Sequence, residues 1–578
     1  MTLKWRRRLF ATGGVICLMA AWLTSPESIE AALLGRYTGA LAWGPALFRV
    51  LLVFHGLALL AAARLVQARA VCSHAPAVPG AVPTPSVPWR ALLALTACGV
   101  VLRAIELDAG LWYDEVLTLV DFVRRPVREI IAVFPSQNQH MLYSIAARLS
   151  VDVLGESAVS LRLPAVVFGV ASVPALFMLA RRVTSGAEAW LAAFVMTVSY
   201  HHIWFSQNAR GYTALLLFAT LSTWFWIEGR ARRSGSWWSA YAAALVLGIW
   251  AHVTMVFVVA AHGIVHVASL AKPSARAAGG TWLPVAAWLL AGTASLQLLS
   301  LTLPEFLGPA LHESAEPSAW QSPWWLLRET IGQLSGRGWL GAAALCGSVV
   351  LACGLASFAR QDAETAGLLA LPAVVCALAI LGLGLNLWPR FFFFAMGFLI
   401  LIGLRGLTVL GRTGAGLVRK RIWGGRFHRM APVVPGLLVV VGSVFTLPPL
   451  YATPKQDFAG ARDYVERERR ATDAVVAVGL AGVAYSRYFA PAWPVIERRA
   501  ELEDLRGKHE AVWLVFTIPV QLRAWHPDLW DVVERDCRAP AVFRGTLGGG
   551  DLTVCRLERG DEGGYAAAAS DTVPGAAR

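Results

Sequence analysis

The chain has 578 residues, of which 56% are hydrophobic and only 15% are charged. Because soluble proteins carry roughly 25% charged residues, these values exclude a soluble globular protein and indicate a polytopic membrane protein. The net charge of +14 does not indicate nucleic-acid binding, because the basic residues lie in clusters between apolar segments.

Apolar segments near the ~20 residues that a bilayer core requires predict an all-α membrane protein with about 13 transmembrane helices. The run 237–271 is too long for one helix of modest tilt, so we predict a break near residue 253, and counts of twelve or fourteen stay open. The predicted spans are 9–24, 41–63, 88–106, 159–180, 186–205, 211–228, 237–253, 254–271, 281–303, 338–358, 367–387, 391–411 and 431–450.

The Lys and Arg clusters predict the orientation of these spans. They begin with Lys4, Arg6, Arg7 and Arg8 and recur at alternate ends of the spans. By the positive-inside rule, the N-terminus is expected in the cytoplasm. The loop 107–158 and everything after 451 are then expected on the extracytoplasmic side of the membrane.

Four parts are expected along the chain. They are an N-terminal transmembrane appendage with a Pro-rich linker (1–87), a transmembrane core (88–450), an extracytoplasmic α/β domain (451–559) and a disordered tail (560–578). In the third part, "AVVAVG" and "EAVWLVFTI" predict buried strands, and a hairpin is expected to turn on the glycines 548–550.

Cys537 and Cys555 both fall in the predicted exported domain. An oxidising compartment would allow them to pair as a disulfide. The alternative is two unpaired thiols on neighbouring elements.

The stretch "GLWYDEVLTLVDF" places Asp114 and Glu115 side by side after an apolar segment. Adjacent residues of a helix point about 100° apart, which favours two separate tasks, one as a base and one as a positioning or metal-binding group. The alternative is a solvated helix N-terminus, where the helix dipole favours carboxylates.

Further polar residues are predicted on the same side of the membrane. A single arginine there could merely extend to the lipid headgroups, but two arginines near an acidic pair indicate an anionic, lipid-linked ligand, because a guanidinium binds phosphate with two donors. These residues are Asn138, His140, Tyr143, Gln207, Arg210, Tyr212, Pro389 and Arg390.

The chain resembles the polyprenyl-phosphate-dependent glycosyltransferases of family 39, which have the GT-C membrane fold and include protein O-mannosyltransferases and the lipid A aminoarabinose transferase. The resemblance covers roughly residues 88–450. Its motifs are "LWYDE" (111–115), "NQHMLY" (138–143), "SLRLPAVVFG" (160–169), "SQNARGYTALLLF" (206–218), "AHVTMVF" (251–257) and "WPRFFFF" (388–394).

The resemblance implies an inverting transfer of one sugar from a polyprenyl phosphate to an extracytoplasmic protein, lipid or glycan. Asp114 would be the general base, and Arg210 and Arg390 would bind the donor phosphate. Glu115 would orient the site or bind a divalent cation, with His140 or His252.

For the remaining candidates the resemblance implies contact with a substrate: Tyr212, His140, Tyr143 and Gln207. No nucleotide cofactor is implied, which agrees with the lack of a Gly-rich phosphate loop in the sequence.

A transporter or flippase for a lipid-linked or anionic substrate is the alternative, since charged residues in membranes also mark substrate paths. Transporters tend to show internal repeats and sites at the midplane. The sequence shows no repeat, and its charged candidates cluster at one interface. An inactive homologue acting as a scaffold also stays open.

Overall fold

The computed structural model describes residues 3–72, 86–232, 234–271, 282–308, 338–384, 388–417, 430 and 433–559. Three predicted segments lie wholly or mostly outside these ranges. They are the Pro-rich linker 72–88, the segment between the predicted spans 281–303 and 338–358, and the tail 560–578.

The chain divides into two compact units. The first contains residues 1–109 and 114–453, and the second contains residues 110–113 and 454–578.

The described part of the first unit is helical, with a π-helical turn (Thr118–Val123) and a 3-10 helix (Pro389–Ala395) between the α-helices. Its helices are α1 (Leu3–Leu23), α2 (Pro26–Leu34), α3 (Gly44–Cys72), α4 (Trp89–Ala104), α5 (Tyr113–Leu117), α6 (Val127–Ile130), α7 (Met141–Leu154), α8 (Ala158–Val183), α9 (Gly186–Val198), α10 (Tyr200–Ser206), α11 (Tyr212–Arg232), α12 (Gly235–Ala251), α13 (Met255–Leu270), α14 (Trp282–Leu299), α15 (Leu303–Leu307), α16 (Gly338–Gln361), α17 (Ala363–Gly382), α18 (Met396–Leu417), α19 (Val434–Phe445) and α20 (Leu447–Ala452).

The prediction of a multi-pass membrane protein is confirmed. Among the described residues, 7 helices are long and apolar enough to cross a bilayer, or 8 if the bent pair Lys4–Leu23 and Pro26–Leu34 is one span. The count of 13 stays a prediction, because several predicted spans occur as shorter helices. The predicted span 186–205, for example, is divided at Ser199, which has extended backbone angles and is the N-cap residue before α10.

The predicted break near residue 253 is present. Helix α12 ends at Ala251, His252 has an extended conformation, and α13 begins at Met255. His252 is thereby placed in a non-helical joint.

Helices α8 and α11 form the interior of the first unit. Helix α8 begins with a capping box, in which Ser157 and Ser160 each bond the other's backbone N–H. Helix α11 is buried on all sides along its first two turns, from Tyr212 to Phe218, which explains its lack of a polar face. These two central helices begin at Ala158 and Tyr212, close in sequence to Arg162 and Arg210.

The second unit contains a five-stranded mixed sheet of order β2-β1-β3-β5-β4. The strands β1, β2 and β3 are parallel, whereas β5 is antiparallel to both β3 and β4. The predicted strands and hairpin are therefore present, whereas β2 and three short helices were not predicted. The elements are α21 (Phe458–Glu468), β1 (Ala474–Val478), α22 (Gly479–Ala484), a π-helical turn (Tyr485–Phe489), β2 (Val495–Ile496), α23 (Arg499–Lys508), β3 (Ala511–Thr517), α24 (Pro519–Trp525), α25 (Pro527–Asp536), β4 (Ala541–Phe543) and β5 (Leu552–Glu558).

The predicted pairing of Cys537 with Cys555 is confirmed. Cys537, directly after α25, forms a disulfide with Cys555 in β5, and their Cα atoms are 5.4 Å apart. The bond ties the last helix of this unit to β5, the strand between β3 and β4.

Candidate active site

Asp114 lies between two arginines. Its Oδ2 is 3.0 Å from Nη1 of Arg210 and 3.8 Å from Nη1 of Arg390. The Asp114 side chain is 12% exposed, so it is largely but not completely shielded from solvent. Its backbone carbonyl accepts hydrogen bonds from Thr118 and Asn138. The three charged side chains that the sequence analysis predicted at separate loops therefore meet.

The two arginines differ in their surroundings. The Arg210 side chain is 5% exposed, whereas that of Arg390 is 43% exposed and lies beside the rings of Trp388 and Phe391. Arg390 is accessible to a ligand from solvent or lipid. Arg210 forms the buried end of the cluster.

Arg210 has unused hydrogen-bonding capacity. Its Nη1 is close enough to Asp114 for an ion pair, but neither Nη1 nor Nε has a hydrogen-bond acceptor among the described residues. Its Nη2 is 3.5 Å from the Tyr212 hydroxyl. A buried guanidinium with vacant donors is costly unless an acceptor arrives, and phosphate oxygens match its geometry.

Glu115 faces away from this cluster. It is fully buried, and its two oxygens accept hydrogen bonds from Nε and Nη2 of Arg162 at 2.8 and 2.5 Å. The backbone N–H of Ala209 donates to the same carboxylate at 2.8 Å. The two adjacent carboxylates thus bind different arginines, as the angle between neighbouring helical residues permits.

His140, Tyr212 and His252 form an aromatic group beside Arg210. The His140 ring centroid is 5.3 Å from that of Tyr212 and 4.9 Å from that of His252. Burial lowers the pKa of His140 well below its ordinary value of 6.5, and the charge of Arg210 lowers it further. His140 is therefore neutral at physiological pH, and its Nε2 has no partner among the described residues.

Tyr143 and Gln207, which the resemblance associates with substrate, bind the main chain. The Tyr143 hydroxyl donates to the carbonyl of Leu161, and the side chain is fully buried. The Gln207 amide donates to the carbonyls of Arg103 and Ile105. Both side chains therefore have main-chain partners, and their contact with a substrate stays a prediction.

The predicted metal ligation by Glu115 and His252 is not supported. Both Glu115 oxygens accept from Arg162, and Nδ1 of His252 accepts from the backbone and hydroxyl of Thr254. In the part of the chain that the structure describes, no three His, Cys, Asp or Glu side chains are grouped as metal ligands would be. The donor set at Glu115 suits an ion pair, because a guanidinium occupies the carboxylate edge that a cation would need.

The sequence analysis assigned no role to Arg162. It lies in the quoted motif "SLRLPAVVFG" and is 1% exposed in the first turns of α8. A signal was present, because an arginine at the start of an apolar span requires a nearby carboxylate or carbonyl groups. The identity of that carboxylate could not be derived from spacing.

Part of the chain matches a known protein family. Residues 139–300, less than a third of the chain, match the family model described as dolichyl-phosphate-mannose-protein mannosyltransferase. This match confirms the resemblance within that range. The search of curated protein sequences found no match.

The chain is also similar to solved membrane-protein structures at low sequence identity. One is ArnT from Cupriavidus metallidurans in the apo state, with 13% identity, 81% of this chain and 98% of that chain covered, and a TM-score of 0.45. Another is the Archaeoglobus fulgidus oligosaccharyltransferase in complex with Zn and sulfate, with 10% identity, coverages of 80% and 72%, and a TM-score of 0.44.

A third is the arabinosyltransferase EmbB from Mycobacterium smegmatis, with 12% identity, coverages of 70% and 44%, and a TM-score of 0.41. Identities this low and TM-scores below 0.5 do not by themselves establish a common activity.

Proposed function

We propose that this protein is an inverting glycosyltransferase that moves a sugar from a polyprenyl-phosphate donor to an extracytoplasmic protein, lipid or glycan. The observation that carries the proposal is the contact of Asp114 with Arg210 and Arg390, one arginine buried and the other accessible. A base next to two phosphate-binding cations is the arrangement that this reaction needs. The family model over residues 139–300 supports the same reaction.

The donor phosphate is proposed to bind Arg210 and Arg390. Arg210 supplies Nε and Nη1, which have no hydrogen-bond acceptor among the described residues, and Arg390 closes the site from its exposed side. As the sugar leaves, negative charge grows on the phosphate, and fixed cations stabilise that charge most effectively in a buried site.

Asp114 is proposed to accept the proton of the acceptor hydroxyl. The hydroxyl oxygen attacks the anomeric carbon from the face opposite the phosphate, its O–H proton passes to the carboxylate, and the bond to the phosphate oxygen breaks. Tyr212 and neutral His140 lie next to Arg210 and are proposed to contact the donor or the acceptor. A metal ion is not needed to balance these steps, because the two arginines supply the positive charge.

The proposed location is the inner membrane of a bacterium, with the N-terminus in the cytoplasm and the second unit outside. The clusters of Lys and Arg support this orientation. A reporter fused after residue 451 should be active only outside the cytoplasm. A cytoplasmic reporter would place Asp114 on the wrong side of the membrane for this chemistry.

The decisive assay supplies a polyprenyl-phosphate sugar to the purified protein in lipid and follows release of polyprenyl phosphate. Asp114→Asn should lower turnover by about 10²–10⁴, the usual contribution of a positioned base. Glu156→Gln is the matched control, because Glu156 lies in the same loop but forms an exposed ion pair with Arg124.

Two results would contradict the proposal. Turnover of Asp114→Asn equal to that of the wild-type protein would make the acidic residue structural. Movement of the intact lipid-linked sugar across the vesicle, with no release of polyprenyl phosphate, would indicate a flippase.

A further inference from the structure

One buried arginine joins three segments of the first unit. Nη1 of Arg162 donates to the carbonyls of Leu107 and Ala109 at 2.9 and 2.7 Å. Its Nε and Nη2 donate to the two oxygens of Glu115. Because the guanidinium is planar and its donors are fixed, it determines both the position and the orientation of the Glu115 carboxylate.

Glu115 extends this contact to a further segment. Its Oε1 accepts the backbone N–H of Ala209, and the next residue along the chain is Arg210. The residue before Glu115 is Asp114. The buried ion pair therefore fixes Glu115, the neighbour of Asp114, and Ala209, the neighbour of Arg210. Asp114 and Arg210 themselves are 3.0 Å apart.

We propose that Arg162 is a positioning residue that acts through Glu115 to hold Asp114 and Arg210 in their working geometry. This inference rests on the proposed function. A buried ion pair contributes little net stability compared with apolar residues of the same volume, so stability alone gives no reason for this pair. The hydrogen bonds of Arg162 and Glu115 fix the orientation of the pair, and a catalytic carboxylate such as Asp114 must be held in a defined orientation.

Three variants separate the links of this network. Arg162→Met combined with Glu115→Gln removes both buried charges, leaves neither unpaired, and keeps an oxygen that can accept from Ala209. Glu115→Ala removes the Ala209 contact as well. Arg162→Lys keeps the charge but cannot make the two-pronged contact.

The expected kinetic results differ among these variants. The double variant and Arg162→Lys should lower kcat by roughly 10- to 100-fold, the scale of an error of about 1 Å in placement, with little change in the donor KM. Glu115→Ala should also raise the donor KM, because the hydrogen bond that holds Ala209, the residue before Arg210, is lost. A role in folding alone would lower the amount of active protein and leave both constants unchanged.

A matched control is the buried ion pair of Glu188 and Arg405 in the same unit, with 3.2 Å between Oε1 and Nε and side chains only 3% and 8% exposed. Glu188→Gln combined with Arg405→Met should leave kcat and the donor KM unchanged. If this control loses kcat as the Arg162 variants do, the effect belongs to any lost buried pair and the inference is wrong.

Hydrogen exchange of the Ala209 amide tests the network without any turnover. Glu115→Ala should speed this exchange, whereas the control double variant should not. Wild-type protein that releases no polyprenyl phosphate would overturn the proposed function alone. Unchanged exchange at Ala209 in Glu115→Ala, or wild-type kcat in Arg162→Lys, would overturn the inference about Arg162.

Discussion

The two arginines that contact Asp114 should contribute unequally to donor binding. A hydrogen bond to a charged group contributes about 1.5–3 kcal/mol, and water screening reduces that value at exposed positions. Arg390 is 43% exposed and Arg210 is 5% exposed. We therefore assign the lower value to Arg390 and the upper value to Arg210.

These values predict measurable differences in affinity. Since about 1.4 kcal/mol corresponds to a factor of ten, Arg390→Ala should weaken binding of polyprenyl phosphate about tenfold, and Arg210→Ala should weaken it by roughly 100-fold. Arg390→Lys should recover part of the loss, because it keeps the charge without the planar fork. Binding is measured with purified protein in lipid, and the donor KM should follow the same order.

Arg124→Ala is the matched control for this series. The Arg124 side chain is also 43% exposed and also pairs with a carboxylate, that of Glu156. It should leave donor binding unchanged. An effect of Arg390→Ala that is equal to that of Arg210→Ala, or that falls on kcat alone, would refute the argument from burial.

Three further predictions test other parts of the molecule. Gly211→Ala should lower turnover, because its new Cβ would lie 2.7 Å from the carbonyl oxygen of Ala251 and would displace the neighbouring Arg210; turnover equal to that of wild type would contradict it. Below pH about 6.5, His140 binds a proton in the unfolded chain but not in the folded protein, because burial lowers its pKa, so stability is lost as the pH falls. His140→Gln should therefore show a smaller decrease in Tm between about pH 7.5 and 5 than the wild-type protein. Reduction of the Cys537–Cys555 bond, which closes a loop with a sequence separation of 18, should destabilise the second unit by about 3 kcal/mol. Hydrogen exchange of β3 and β5 with and without reductant measures this loss of stability, and equal exchange rates would contradict the prediction.

The sequence predicted more of the second unit than of the site. Strands β1 and β3 are continuous apolar runs, and such runs are typical of buried strands. Strand β2 has only two residues, Val495 and Ile496, which is too short for any periodic signal. Local patterns therefore located the long strands and missed β2, as they missed the helices α22, α23 and α24.

The site depends on contacts between distant segments, which spacing does not encode. Local reasoning separated the tasks of Asp114 and Glu115 by the angle between neighbouring helical residues, and the structure places them on different arginines. It could not find Arg162 as the partner of Glu115, because that pairing depends on how α8 packs. Metal ligation at Glu115 stays a prediction, and the Arg162 contact that opposes it depends on the same packing.

The charge of the cluster explains why one carboxylate and two arginines suit this reaction. Asp114 with Arg210 and Arg390 carries a net charge of +1, and a polyprenyl-phosphate sugar is a phosphodiester with one negative charge, so the loaded site is neutral. During transfer the phosphate gains a second negative charge as the sugar leaves, while Asp114 loses its own charge by taking the acceptor proton. The sum stays at zero throughout, so no uncompensated charge develops in a buried, low-dielectric site, where it would be costly. Loss of either arginine would leave the product phosphate with too little positive charge, and loss of the Asp114 carboxylate would leave the acceptor proton without a base.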